Sequence, residues 1–111
     1  MARNVPVPGR KVRGSTTGRP IMAALDLAGR RWLLRILWEL RAEALTFRAL
    51  QQRCGSISPT VLNTRLSEMK QAGLVESGDV GYRLTARGLD LIEALSPLTR
   101  WAERWALEDG K

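Results

Sequence analysis

From Thr46 to Gly88 the spacing of apolar positions changes twice, and the changes mark out a helix, a turn, a second helix and a hairpin. Thr46 is a helix-capping residue type, and Phe47, Leu50 and Cys54 follow it on one helical stripe that Gly55 ends. Ser58 and Pro59 open the second helix, since the serine oxygen can accept an orphan backbone N–H and proline is already set for the first helical position. That helix runs to about Gly73. Leu62, Leu66 and Met69 share one narrow arc of it, while Thr60, Asn63, Thr64, Ser67 and Gln71 fall on the opposite arc. After Gly73 the period drops to two: Leu74 to Glu76 reads as a strand, Ser77 to Gly81 as a loop and Tyr82 to Thr85 as the returning strand. Thr85 and Gly88 hand the chain to a last helix.

The flanking segments are more apolar. Leu25, Ala28, Trp32, Leu33, Ile36, Leu37 and Leu40 give a first long helix, which also carries Trp38, a wide hydrophobic surface. Gly29 weakens that helix, and so marks close packing or the start of a new turn. Arg30 and Arg31 beside it read as a solvated face or as ion pairs with Glu39, Glu43 or a partner's acids. At the other end Leu91, Leu95, Leu98, Ala102 and Trp105 follow a three-four spacing with Trp101 beside them, and Ser96-Pro97 marks a kink or a restarted helix. One small core cannot hide both surfaces, so a partner is expected. The fold class is mainly α with a small β-hairpin: a winged helix-turn-helix flanked by apolar N- and C-terminal helices.

Small hydroxyl and amide side chains on an exposed helix face can approach base edges in a major groove without steric conflict, whereas long acids there would repel phosphate. Glu68 lies toward the far end of that helix, away from its leading tip. The plain alternative for such a face is simple solvation. The hairpin and the preceding helix favour the groove.

Three segments resemble the HxlR-type winged-helix transcriptional regulators, related in architecture to the MarR-like group: ALDLAGRRWLLRILWEL from Ala24 to Leu40, ISPTVLNTRLSEMKQAGLV from Ile57 to Val75, and YRLTARG from Tyr82 to Gly88. The resemblance implies a homodimer on a two-fold operator in double-stranded DNA, with Ser58, Thr60, Asn63 and Thr64 approaching bases. Arg65 matches an arginine recurrent in the family, and its position beside the core arc puts its head on a phosphate in preference to a carboxylate. Ser67, Lys70, Arg83 and Arg87 complete the expected DNA-binding set. Leu25, Trp32, Leu91, Leu95, Leu98, Trp101 and Trp105 are the expected dimer interface, because the first and last helices build the dimer in such regulators. That packing is preferred to an aromatic effector pocket lined by Trp32, Trp101 and Trp105, and a small-molecule effector has no other support in the sequence.

Two features depart from the family pattern. Many members begin the domain with Cys-Pro, a cysteine that in some senses oxidants or electrophiles, whereas this chain has Arg19-Pro20. That sensor is missing. The wing is also short, with Asp79 as the one charge at its tip, so Arg83 and Arg87 are expected on the DNA backbone in place of a deep minor-groove insertion.

At 111 residues the chain has room for one modest core, which dimerisation would enlarge. Its net charge is +7, and residues 1–20 supply most of it through Arg3, Arg10, Lys11, Arg13 and Arg19 with no acid. This stretch, rich in proline and glycine, reads as a disordered basic arm able to follow DNA, or as a plain solubilising leader, ahead of a domain over residues 21–109. It lacks the apolar core of a secretory signal. Arg30, Arg31 and Arg35 interrupt the most apolar segment, so no membrane span is expected and the location is expected to be cytoplasmic. Cys54, the single cysteine, reads as a small buried hydrophobe.

Catalysis has little to build on. The chain has no histidine, its carboxylates show no metal-like spacing, and no glycine-rich loop precedes a helix as a phosphate cradle would require, so no enzyme activity, metal or cofactor is expected. The residues point to a sequence-specific transcriptional regulator, with repression as the default. The reading from another class is a winged-helix protein-interaction module that does not read DNA sequence.

Overall fold

The computed structural model describes residues 5–10 and 18–110. Most of the expected basic arm, including Arg3, Lys11 and Arg13, lies outside the described residues. Among the described residues six α-helices and one hairpin follow in order: α1 (Pro20–Ala28), α2 (Leu33–Glu39), α3 (Phe47–Arg53), α4 (Pro59–Gln71), β1 (Val75–Ser77), β2 (Tyr82–Leu84), α5 (Ala86–Ala94) and α6 (Ser96–Trp105), with a π-helical turn over Ala106–Gly110.

Local chemistry sets the starts of three helices. Thr46 Oγ1 accepts from the Ala49 N–H at 3.1 Å, Ser58 Oγ accepts from Val61 at 3.1 Å and Thr85 Oγ1 accepts from Gly88 at 3.1 Å. Each satisfies one of the N–H groups that the first turn leaves unpaired. The Thr85 hydroxyl also donates to the Gly73 carbonyl, which ties the end of α4 to the start of α5.

The core is built where the apolar stripes converge. Leu33, Ile36, Leu37 and Leu40 from α2 meet Leu50 and Cys54 from α3 and its cap, Leu62, Leu66 and Met69 from α4, and Leu74, Val75 and Leu84 from the hairpin. Burial raises the Cys54 thiol pKa; Arg35 nearby lowers it and Glu39 adds to the rise. The cysteine is a core residue, as its place on the stripe suggests.

The hairpin pairs Val75 with Leu84, Glu76 with Arg83 and Ser77 with Tyr82, so Ser77 belongs to the strand and the loop is one residue shorter than the sequence suggests. Leu45 adds an isolated bridge to Tyr82, with the Tyr82 N–H donating to the Leu45 carbonyl at 2.8 Å. The wing is thereby anchored beside the start of α3. Gly81 makes this approach feasible, because its φ is +143° and a β-carbon there would run into the Leu45 carbonyl.

The expected first long helix is two helices: Gly29 caps α1, its N–H donating to the Leu25 carbonyl at 2.8 Å, and the chain turns through Trp32, whose φ of 76° is left-handed, before α2 starts at Leu33. The physical reason is the division of the apolar surface. A straight helix would carry both halves on one rod, whereas the break lets α2 enter the core and leaves Ile21 and Leu25 of α1 exposed. At the C-terminal end Pro97 restarts the helix as α6, the second of the two expected outcomes.

Candidate nucleic-acid interface

The turn between α3 and α4 fixes how α4 is presented. After Cys54 the backbone passes through left-handed Gly55 and Ser56, the Ser56 N–H donates to the Gln51 carbonyl at 3.0 Å, and the Gln51 amide donates to the Ile57 carbonyl at 2.9 Å. Ile57 is buried, which pins the turn to the core. Ser58 then starts a 13-residue helix whose Leu62, Leu66 and Met69 point inward.

On the opposite side Ser58, Thr60, Asn63, Lys70 and Gln71 are exposed, and Thr64 and Ser67 are half-buried. The face is a row of hydroxyl and amide groups followed by a cation. Such groups can donate to and accept from base edges, and α4 has no acid on this side that would repel a polyanion. Lys70 Nζ sits 5.1 Å from the centre of the Tyr82 ring, at the foot of the wing.

The four arginines next to this face do different things. Arg83 Nε pairs with Glu76 Oε2 across the hairpin at 2.8 Å, and both side chains are about half exposed. Arg87 Nη1 donates to the Ala72 carbonyl at 2.9 Å, capping the end of α4 from an exposed position. Arg48, on the exposed side of α3, makes no hydrogen bond or ion pair among the described residues. Arg48 is not among the residues that the sequence pattern singles out. Its signal was its position two residues after the Thr46 cap, on the helix that crosses the DNA backbone in helix-turn-helix proteins.

Arg65 is turned inward. In place of the phosphate expected for its head, Nε donates to the Arg31 carbonyl at 2.6 Å and Nη1 to Glu68 Oε1 at 2.9 Å. Glu68 is 6% exposed and also accepts from Arg30 Nη1 at 2.9 Å. Arg30 therefore pairs with Glu68 and, at 3.9 Å, with Asp26, in place of the expected Glu39 or Glu43. Those two acids are taken by Arg35 and Arg53.

The residues expected at a dimer contact divide in two. Leu25, Leu98, Trp101 and Trp105 are exposed, while Trp32, Leu91 and Leu95 lean on the core. No residue of α6 is buried, and Trp101 and Trp105 stack with ring centres 5.3 Å apart while about half exposed. An open groove of about 750 Å³ runs between α2 and the α5–α6 elbow. Trp38, Leu89 and Ile92 line it, with Glu93, Arg100 and Glu103; Trp32, Trp101 and Trp105 do not.

No helix among the described residues is long and apolar enough to cross a membrane. Among the described residues no group of His, Cys, Asp and Glu side chains is placed to hold a metal ion.

The sequence model of the HxlR-like helix-turn-helix family matches residues 27–109. An HTH-type transcriptional regulator of Mycobacterium tuberculosis, Rv3095, is 34% identical over 102 residues, which is 86% of this chain and 61% of that relative, so the chain spans less than two thirds of its length. Among solved structures, quinone-bound YodB from B. subtilis is similar with a TM-score of 0.71 at 30% identity, covering 76% of this chain and 96% of that one. A MarR-family regulator from Enterococcus faecalis V583 is similar with a TM-score of 0.72 at 31% identity, covering 90% and 97%. The hairpin behind the two helices is the wing of a winged helix-turn-helix.

Proposed function

The chain belongs to the HxlR-like helix-turn-helix family of transcriptional regulators, and on that premise we propose that it binds a two-fold operator as a homodimer and represses by occupying it. The observation that carries this reading is α4 itself: capped by Ser58, locked to the core through Leu62, Leu66 and Met69, it holds out an acid-free polar face. In this reading Ser58, Thr60, Asn63, Thr64 and Ser67 approach bases, while Lys70, Arg83 and Arg87 meet phosphates around them. Arg48 joins the phosphate set from α3. Arg65 acts behind the face, through protein contacts.

Two-fold sites call for two-fold proteins, and the uncovered apolar face of α6 supplies a self-complementary surface when it meets a second copy. The exposed Leu25 of α1 joins α6 at the contact in this reading, and Trp32, Leu91 and Leu95 are packed against the core. Repression follows from occupancy alone, since a bound dimer excludes polymerase from the same stretch of promoter. The missing Cys-Pro start leaves no cysteine at the position used for sensing in some relatives.

Sedimentation of the chain with and without a fluorescent duplex tests both halves of the proposal. Two copies per operator duplex, with a scrambled duplex bound far more weakly at the same salt, support it. A self-associating chain that ignores DNA at low salt would favour the interaction module.

A further inference from the structure

Glu68 is the one buried charged residue among the described residues, and it stands on the proposed recognition helix. Its two oxygens are divided between two guanidinium groups, Oε2 accepting from Arg30 and Oε1 from Arg65, each at 2.9 Å. Arg65 also holds the Arg31 carbonyl at 2.6 Å. Two residues one turn apart on α4 therefore grip the side chain of Arg30 and the backbone of Arg31, the residues that join α1 to α2. Asp26, on the last turns of α1, faces the same Arg30 at 3.9 Å.

The gripped segment is not held by its own preferences. Gly29 has left α1, and Trp32 takes a left-handed φ of 76° that a bulky side chain disfavours. Local bonds hold part of the bend, the Arg30 N–H donating to the Leu27 carbonyl at 3.2 Å and the Leu33 N–H to the Arg30 carbonyl at 3.1 Å, and the contacts from outside the segment's own neighbourhood come from α4. A buried carboxylate tolerates few geometries, because losing either partner leaves charge uncompensated out of water. Apolar packing alone would let two helices slide. This cluster sets their relation in one register.

We infer that Glu68 is a positioning residue that couples the α1–α2 bend to the recognition helix, so that operator reading depends on how α1 is held. The inference rests on the DNA reading above. Its consequence is directional: whatever covers Ile21 and Leu25 on the exposed side of α1 acts on Arg30, through Glu68, on the helix that bears Asn63 and Ser67. The partners need not touch DNA. Glu68 and Arg65 work behind the polar face, and Arg30 lies on a different element.

The test is a double-mutant cycle of Arg30→Met and Glu68→Leu, with an Arg30→Lys variant, read as the ratio of affinities for a selected operator and a scrambled duplex, alongside urea unfolding. Each single substitution is expected to lower the ratio about tenfold, with binding to scrambled DNA and the salt slope unchanged. The double variant is expected to lose no more than the singles, and Arg30→Lys to recover part of the loss. The double variant still leaves Arg65 on the Arg31 carbonyl and Asp26 without Arg30, so its urea unfolding establishes whether it is folded under the binding conditions, and Arg30→Lys, which keeps every charge, carries the test where it is not. A double variant with the wild-type ratio would reduce the cluster to a stability element and overturn the inference. A flatter salt slope for Arg30→Met would also overturn it, by placing Arg30 on a phosphate. Wild-type protein with no operator preference would instead overturn the DNA reading, and the coupling with it.

Discussion

Gly88 lies so close to the carbonyl of Leu74 that a β-carbon built on it would overlap the oxygen. This approach lets α5 cross directly over the entry to β1, and Thr85 N–H donates to the same carbonyl at 3.0 Å. The root of the wing is thus fixed by a glycine that has no conformational need to be one. Gly88→Ala is expected to cost about 1–3 kcal/mol, the usual penalty for forcing a methyl into a filled space. Urea unfolding measures it, and a variant as stable as the parent would mean that α5 can lift away without loss.

Ser58 has two roles that a pair of substitutions separates. Ser58→Ala removes the cap on α4 and is expected to lower stability by about 1 kcal/mol. Ser58→Asp keeps the cap and favours the helix dipole, so stability is retained. The added carboxylate faces the proposed DNA, and binding of any duplex is expected to drop. Thermal melting and fluorescence anisotropy on the same two proteins read the two effects. An Asp variant that binds DNA as well as the parent would remove the N-terminus of α4 from the contact surface.

Lys70 and Arg65 are expected to differ in kind. Lys70 stands in solvent beside the wing, so Lys70→Ala should weaken binding to all sequences and reduce the salt slope by about 1. The Arg65 head is already engaged by Glu68 and the Arg31 carbonyl. Arg65→Ala is expected to leave the slope as it is while lowering stability. Binding isotherms over a range of salt concentrations decide between them, and a reduced slope for Arg65→Ala would return that arginine to the phosphate.

Most of the helix-turn-helix was legible in the sequence because its signals are local. Thr46, Ser58 and Thr85 are capping types at the right places, Pro59 follows its cap, and the Leu62, Leu66 and Met69 arc has the helical period. The bend at Gly29–Trp32 was not legible. Its apolar residues keep a helical rhythm on both sides, and the contacts on the neighbouring Arg30 side chain and Arg31 carbonyl come from α4, distant in sequence. The inward turn of Arg65 was hidden for the same reason: its acceptors are Glu68, which reads as a surface acid, and a backbone carbonyl that no sequence pattern announces. The Leu45–Tyr82 bridge is likewise a long-range pairing without a strand-length run on the Leu45 side.

Cys54 is expected to be chemically silent while the chain is folded. Its thiol is buried and its pKa raised, chiefly by burial, so little thiolate forms at neutral pH. A raised folded-state value means the neutral thiol contributes stability that is present below the ordinary thiol pKa and lost as pH climbs past the folded one. Iodoacetamide should label the protein only in denaturing urea, as read by mass spectrometry. Rapid labelling of native protein at neutral pH would place Cys54 in an opening segment.

The central claim is that α4 reads base sequence in a two-fold arrangement. Selection of bound duplexes from a random pool, followed by titration of the selected sequence against a scrambled one, tests it most directly. The account predicts a two-fold-symmetric site preferred by roughly a thousandfold or more at moderate salt. Weak binding that shows no sequence preference and vanishes as salt rises would contradict it.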